Sequence, residues 1–594
     1  ILYDLVIRQN CAADIHKPYL LLERTHTDTG TLPNFRQGDA IVLYERNISE
    51  DNVTNKMVFK GNIETISDSD IRVRLRAAQQ NVEVLPMNSR YAIEHDYMDT
   101  SFRCMYWGLS AFLSATKDRR DLLLNRREPE FDSAFNGAIA AADNDFVRIT
   151  LKAEAAKDYF LLIGPPGTGK TSRALRSMVE TFYREGKEIL LLSYTNRAVD
   201  EICKMLTAIT PEVDFIRIGS ELSCDEVYRP HLIENMLESC STRREVQERM
   251  ARCRIFVGTV ATLSAKTELF RLKTFDVALI DEATQILEPQ LLGLLCIRSV
   301  AGGNAIGKFV LIGDHKQLPA VVLQSSEQSE VQDESLRAIG LCNLKDSLFE
   351  RLYRNAIKQP LACGEEASTF NSQLSAFNSF DILCRQGRMN VEVAAFPNHA
   401  FYGGLLQPVG LEHQTGTIEL SPELSTNEFA ALLTRRVAFI PSTPEQPMQS
   451  AKINHSEAKI VARLAAAVYR QYIFATGCFN AAYTLGIITP YRSQIALIKK
   501  EIADLGIKEL NDVLIDTVER FQGSERDVII YSFCVNRVSQ LKLLANLTEE
   551  NGVQIDRKLN VALTRARKQM FITGVPQLLK QNSIYSRLLQ SCES

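Results

Sequence analysis

A five-residue apolar run, YFLLI (159–163), leads straight into GPPGTGKT (164–171) and then into the helical pattern SRALRSMVETF (172–182). The run reads as a buried strand. The glycines let the next loop wrap until its backbone N–H groups face one point, where a helix N-terminus adds its dipole. Such a strand–loop–helix belongs to a parallel α/β sheet and cradles a phosphate chain. Gly164, Pro165, Pro166, Gly167, Thr168, Gly169, Lys170, Thr171 and Ser172 are the candidate cradle. Lys170 is placed to neutralise the β- and γ-phosphates, and the Thr171 hydroxyl to bind Mg²⁺.

A phosphate loop needs an acidic partner on a neighbouring strand. FDVALIDEATQ (275–285) supplies Asp281 and Glu282 at the end of an apolar run. Asp281 suits a Mg²⁺ site through a bound water, and Glu282 suits polarising an attacking water. A third apolar run, in KFVLIGDHKQLPAVV (308–322), ends in Asp314 and Gln317, and Gln317 is placed to sense the γ-phosphate.

With 594 residues the chain is too long for one core. Strands and helices alternate over 145–325, with a polar insertion at about 219–252, and alternate again toward the C-terminus. The expected fold is therefore α/β: two domains with parallel sheets, at 145–325 and 326–594, the first carrying the phosphate loop. Ahead of them, AIVLYER (40–46), MVFKGNIETI (57–66) and IRVRLR (71–76) alternate with period two, which predicts a small antiparallel β-barrel over 1–100. A helical stalk is expected over 101–144. Its run KDRRDLLLNRR (117–127) is either a solvated helix face or, with IRVRLR, a basic patch for a polyanion.

The net charge of −4 announces no nucleic acid globally, so any polyanion site must be local. The thirteen cysteines contain no CxxC pair, which argues against zinc and against a secreted disulfide framework. No apolar run reaches membrane-spanning length, no signal pattern opens the chain, and it starts at Ile1 rather than methionine. These features lead to the expectation of an intracellular protein of cytoplasm or nucleus, processed or partial at its start, with no membrane partner.

The ordered blocks GPPGTGKT, DEATQ, GDHKQLP, TPYRSQ, ERFQGSERD and NVALTRAR resemble those of superfamily 1 helicases. More narrowly, they are similar to the 1B branch containing the nonsense-mediated-decay helicase and the replication flap nuclease-helicase, which also carries a barrel and stalk ahead of its P-loop. The resemblance covers about residues 145–580. It implies that the two domains are RecA-like P-loop domains, with ATP and Mg²⁺ in the cleft between them and a single nucleic-acid strand across both. Lys170, Glu282, Gln317, Arg388 and Arg565 are its catalytic set, with Thr171 and Asp281 on the metal. Arg565 is the implied arginine finger and Arg567 the support of its loop, although the residues alone leave the reverse open. Gln522, Gly523 and Glu525 match the block that approaches ribose and phosphates. Thr195, Asn196, Thr259, Thr489, Pro490, Tyr491, Arg492 and Thr517 match loops that touch the sugar–phosphate backbone without reading bases.

Two positions depart from the family pattern. Val147 stands where a glutamine reads adenine, and Gly387 in CRQGRMN (384–390) stands where a tyrosine stacks on the base. Both fall on the base pocket and neither on the phosphates. The expected activity is an ATP-driven helicase or translocase, 5′→3′ on single-stranded DNA. An RNA helicase and an ATP-gated clamp with little unwinding are the alternatives. The expected state is a monomer, with the barrel as the surface for protein partners.

Overall fold

The computed structural model describes residues 1–25, 35, 37–67, 69–96, 100–322, 324–358, 379–446, 450–550 and 552–593. Two compact units divide the chain, Ile1–Phe102 with Ser220–Ser223 and the remainder.

In the first unit Ile71, Val73 and Leu75 are buried while the arginines between them face outward, as period two requires. Six antiparallel strands close into a barrel in the order Leu2–Cys11, Tyr19–Arg24, Asp70–Leu75, Val58–Ile66, Ala40–Glu45 and Arg90–His95. The outward arginines are met by the barrel's own groups. Arg72 lies 2.9 Å from Glu64 and over the Tyr19 ring, Arg74 also pairs with Glu64, and Arg76 reaches Asp96 at 3.5 Å.

Among the described residues the second unit holds two large all-parallel sheets. The first runs in the order Phe380–Ile382, Tyr159–Ile163, Ile306–Gly313, Phe275–Ile280, Ile189–Ser193, Ile255–Thr259 and Phe215–Ile218. Helices cover both faces, so its central strands are largely apolar. The second runs in the order Val437–Pro441, Ala566–Gly574, Arg526–Ser532, Leu485–Ile488 and Leu514–Asp516.

Three expectations change here. The boundary at 325/326 cuts the first sheet, because Phe380–Ile382 pairs with Tyr159–Ile163 and the helix Leu348–Lys358 buries Leu348, Phe349 and Leu352 in that sheet's core. The strand ending before Asp281 is not next to the P-loop strand, since Ile306–Gly313 lies between them. Nor does all of KDRRDLLLNRR present its charge to solvent. Arg119 is 3% exposed and donates to the Ile306 and Gly307 carbonyls at 2.9 and 2.6 Å. Arg127 pairs with Asp158 and Asp118 at 2.7 Å each, and Arg120 donates to the Leu113 carbonyl. The helical segment packs on the first sheet. In its leading helix a Cβ at Gly108 would sit 1.8 Å from the Pro289 carbonyl oxygen.

Candidate active site

The P-loop leaves its strand at Gly164 and enters the helical segment Lys170–Leu175. The Lys170 stem folds across Gly164, where a Cβ would come within 1.9 Å of it. Gly167 has φ +74°, and a Cβ there would come 2.5 Å from the Arg388 Cβ. Both glycines are therefore required by close approach. Thr168 closes the loop by donating to the Pro165 carbonyl at 2.7 Å, and Ser172 is exposed.

Although a strand separates their origins, Thr171 Oγ1 donates to Asp281 Oδ2 at 2.6 Å. Burial, together with the adjacent Glu282 charge, raises the Asp281 carboxyl above its ordinary range. A buried carboxylate beside a hydroxyl is a hard-oxygen pair that fits Mg²⁺. Glu282 sits in the left-handed region at φ +53°, an uncommon conformation for a side chain of this size. Its carboxylate lies 3.6 Å from Lys170 Nζ and accepts from Gln285 Nε2 at 3.0 Å. Burial opposes its ionisation, yet Lys170, Gln285 and Arg565 hold its pKa below the ordinary value.

The second sheet's half supplies the opposing charges. Arg565 is 2% exposed at the end of the helix Arg557–Leu563. Its Nε donates to the Val561 carbonyl at 3.1 Å and its Nη2 to Gln317 Oε1 at 3.0 Å. Burial and the nearby Arg388 pull its pKa down to about 9, so it stays charged at neutral pH. Arg388 Nε donates to Glu525 Oε2 at 2.6 Å, and the Gly387 N–H donates to the Gly167 carbonyl at 2.9 Å. Glu525 also lies 3.6 Å from Arg567, which reaches Asp527 at 3.3 Å. Two arginines are thus held beside the phosphate loop by carboxylate and amide acceptors. Gln522 Nε2 is buried without a hydrogen-bond partner, a donor suited to a ribose or phosphate oxygen, while Gly523 is exposed at φ +76°.

The backbone-contact candidates divide by sheet. Thr195 and Asn196 follow the strand Ile189–Ser193, and Thr259 ends the paired strand Ile255–Thr259. Thr489, Pro490, Tyr491 and Arg492 follow Leu485–Ile488, and Thr517 follows its neighbour Leu514–Asp516. All occupy carboxyl edges, where parallel sheets present ligand loops. Thr195 is exposed and caps a helix by accepting from the Ala198 N–H at 3.2 Å. Thr259 is buried and caps through the Thr262 N–H. Thr489 is fully buried and its hydroxyl has no hydrogen-bond partner, whereas Arg492 is exposed. Tyr491 accepts from Gln540 Nε2 at 3.0 Å.

At the base-pocket positions, Val147 is 41% exposed, and a Cβ on Gly387 would meet Val409 and Leu411 at 3.2 and 3.4 Å. Aliphatic side chains therefore flank the place of the missing ring. Sequence reading passes over Tyr402, whose hydroxyl donates to Asp314 Oδ2 at 2.8 Å and accepts from Asn560 at 2.8 Å. It also passes over Asn560, although that residue lies inside NVALTRAR. Nothing in AFYGG marks Tyr402; the NVALTRAR block does point to its partner.

Two AAA domain models match the chain, one at residues 141–253 and 238–325, the other at 344–577. The chain is 29% identical to the Arabidopsis thaliana DNA replication ATP-dependent helicase/nuclease JHS1, over 93% of this chain and 38% of that protein. The chain belongs to the superfamily 1 helicases. Within them it falls in the branch of the nonsense-mediated-decay helicase and the replication flap nuclease-helicase. It is also 27% identical to the Homo sapiens DNA replication ATP-dependent helicase/nuclease DNA2, over 84% of this chain and 44% of that protein. With the Saccharomyces cerevisiae DNA polymerase alpha-associated DNA helicase A it shares 24% identity, over 94% of this chain and 83% of that protein. The chain thus spans less than half the length of the two helicase/nucleases. Among the described residues no helix is long and apolar enough to cross a membrane.

Proposed function

We propose that this chain is an ATP-driven motor that translocates 5′→3′ on single-stranded DNA and separates duplex strands. The observation that carries the proposal is the convergence of Lys170 and Glu282 from the first sheet with Arg388 and Arg565 from the second. A site split between two sheets changes shape when the phosphate chain is cut, and loops at the carboxyl edges of both sheets would then shift along a strand. The names of the relatives favour DNA over RNA.

In this reading the first ATPase domain runs from about 145 to Ile382, and the second from there to the C-terminus. Lys170 and the loop amides would bind the phosphates of ATP, and Thr171 and Asp281 would hold Mg²⁺, which would supply neutralisation of phosphate charge. Glu282 takes a proton from the attacking water. Arg565 and Arg388 stabilise charge on the transferred phosphoryl group, Gln317 registers its loss, and Glu525 positions Arg388 rather than touching the anion. Thr195, Asn196, Thr259, Thr489, Pro490, Tyr491, Arg492 and Thr517 line the strand path. The motor acts as a monomer in nucleus or cytoplasm, with the barrel open to protein partners.

The test is strand displacement from duplexes carrying a 5′ or a 3′ tail, in DNA and in RNA. ATP-dependent release from the 5′-tailed DNA is the expected result. Release confined to RNA reverses the substrate, and hydrolysis without release makes the chain a clamp.

A further inference from the structure

Four consecutive residues, Asp314 to Gln317, leave the first sheet, and each is bonded to the second sheet's half. Asp314 accepts from Tyr402, and Gln317 accepts from Arg565 at 3.0 Å. The Lys316 carbonyl accepts from Asn560 Nδ2 at 2.7 Å. His315 Nε2 and Lys316 Nζ converge on one carboxylate, Glu550, at 3.1 and 3.0 Å from Oε2. Glu550 belongs to none of the sequence blocks that carry the nucleotide chemistry. It ends the first strand of an antiparallel hairpin, Leu547–Glu550 with Val553–Asp556.

That hairpin is continuous with the arginine's helix. Asp556 at its base accepts from the Lys558 and Leu559 N–H groups at 3.1 and 3.2 Å, capping Arg557–Leu563, and Arg565 follows two residues later. The Asn546 N–H and the Tyr585 hydroxyl also donate to Asp556, at 3.1 and 2.9 Å. Arg557 Nη2 meets Glu350 Oε1 of the helix Leu348–Lys358 at 2.5 Å, so the piece is fastened to the first sheet's half at a second point. Hairpin strand and arginine therefore move together.

We infer that Glu550 is a positioning residue for ATP turnover: by clasping His315 and Lys316 it fixes Gln317 against Arg565. The inference rests on the proposed ATP-driven motor. The three side chains are 11–23% exposed, so their attraction is less screened than that of a surface pair. Tyr353 lies against the His315 ring, with centroids 4.9 Å apart and the rings tilted by 36°. Burial pushes the Glu550 carboxyl up, but His315 and Lys316 hold it down at about 2, so it is charged at neutral pH. A neutral amide in its place keeps the shape and loses the charge that pairs with Lys316 and lies against the His315 ring nitrogen.

The experiment compares wild type, Glu550→Gln and the charge-swapped pair Glu550→Lys with Lys316→Glu, each at saturating strand. Glu550→Gln is expected to lower kcat about ten- to a hundredfold, the rate equivalent of one hydrogen bond to a charged group, with KM for ATP little changed. KM is spared because Lys170 and the loop amides bind the phosphates from the other half. The charge swap is expected to recover part of kcat. A non-hydrolysable ATP analogue should also protect the amides of residues 314–317 from hydrogen exchange in wild type and less so in Glu550→Gln. Equal protection overturns the inference, and so does an unchanged kcat in a variant that only melts earlier. A wild-type chain without ATP turnover overturns the motor reading instead, and the exchange comparison then still decides the clasp.

Discussion

Arg565 donates to Gln317 across 3.0 Å, a bond between residues 248 positions apart that joins the two parallel-sheet halves beside the phosphate loop. Neither side chain touches solvent appreciably, since Gln317 is 4% and Arg565 2% exposed. A guanidinium already desolvated and aimed needs little reorganisation when charge develops on a phosphoryl group.

Arg565→Ala is accordingly expected to leave nucleotide affinity nearly intact and to slow hydrolysis by about 10³–10⁵-fold, the range for an arginine finger. Fluorescent-nucleotide titration beside single-turnover hydrolysis separates the two quantities. Lost binding with normal turnover per bound nucleotide makes Arg565 a ground-state ligand.

Base selectivity should be weak. Val147 offers no amide at the adenine position, and Val409 and Leu411 offer only apolar surface beside Gly387. ATP, GTP and CTP are expected to agree within about tenfold in kcat/KM, because no buried polar group is left unpaired by the wrong base. An ATP preference of about a hundredfold or more means that other residues rebuild the pocket.

Glu457 ties stability to pH. It is fully buried, accepts from Ser532 Oγ at 2.6 Å and the Cys534 N–H at 2.9 Å, and burial raises its pKa to about 7. The folded chain therefore holds this proton more tightly than the unfolded chain. Its contribution is complete below the unfolded value of 4.5 and is lost as pH rises through about 7. The loss amounts to at most about 3 kcal/mol. Glu457→Gln can keep both accepted bonds and donate its amide to Ser442 Oγ, 3.3 Å from Oε1. The variant should melt at a higher temperature than wild type at pH 8.5 and close to it at pH 5. A melting difference that does not grow with pH means that Glu457 does not change its protonation in the folded chain between pH 5 and 8.5.

Much of this site is legible because it is local. The glycine spacing after YFLLI and the Asp281–Glu282 pair after an apolar run each need only neighbouring residues. The barrel follows from a two-residue period. Arg119 was legible in principle, since it shares a helix face with Leu122 and Leu123 at spacings of three and four. Counting charges along KDRRDLLLNRR hides that periodicity. Phe380–Ile382 is too short to carry a pattern and joins its sheet far from the sequence it pairs with. The clasp of Glu550 on His315 spans 235 positions, and nothing near either residue announces the other.

Arg119→Ala is therefore a stability variant rather than a strand-binding one. The buried Ile306 carbonyl loses its donor, at a cost of about 1–3 kcal/mol, and the partly exposed Gly307 carbonyl loses the same donor with water to replace it. The slope of log K against log salt for single-strand binding should not move, whereas removing a true phosphate contact changes it by about 0.7. A change of that size in the Arg119 variant places the strand along this helix.

The most direct measurement of the central claim is ATP turnover by wild type and Lys170→Ala, each without strand, with single-stranded DNA and with single-stranded RNA. Wild type is expected to turn over faster with DNA than with RNA or alone, and Lys170→Ala to stay at background in all three. Lys170→Ala turning over at the wild-type rate, or wild type indifferent to any strand, contradicts a motor driven from this phosphate loop.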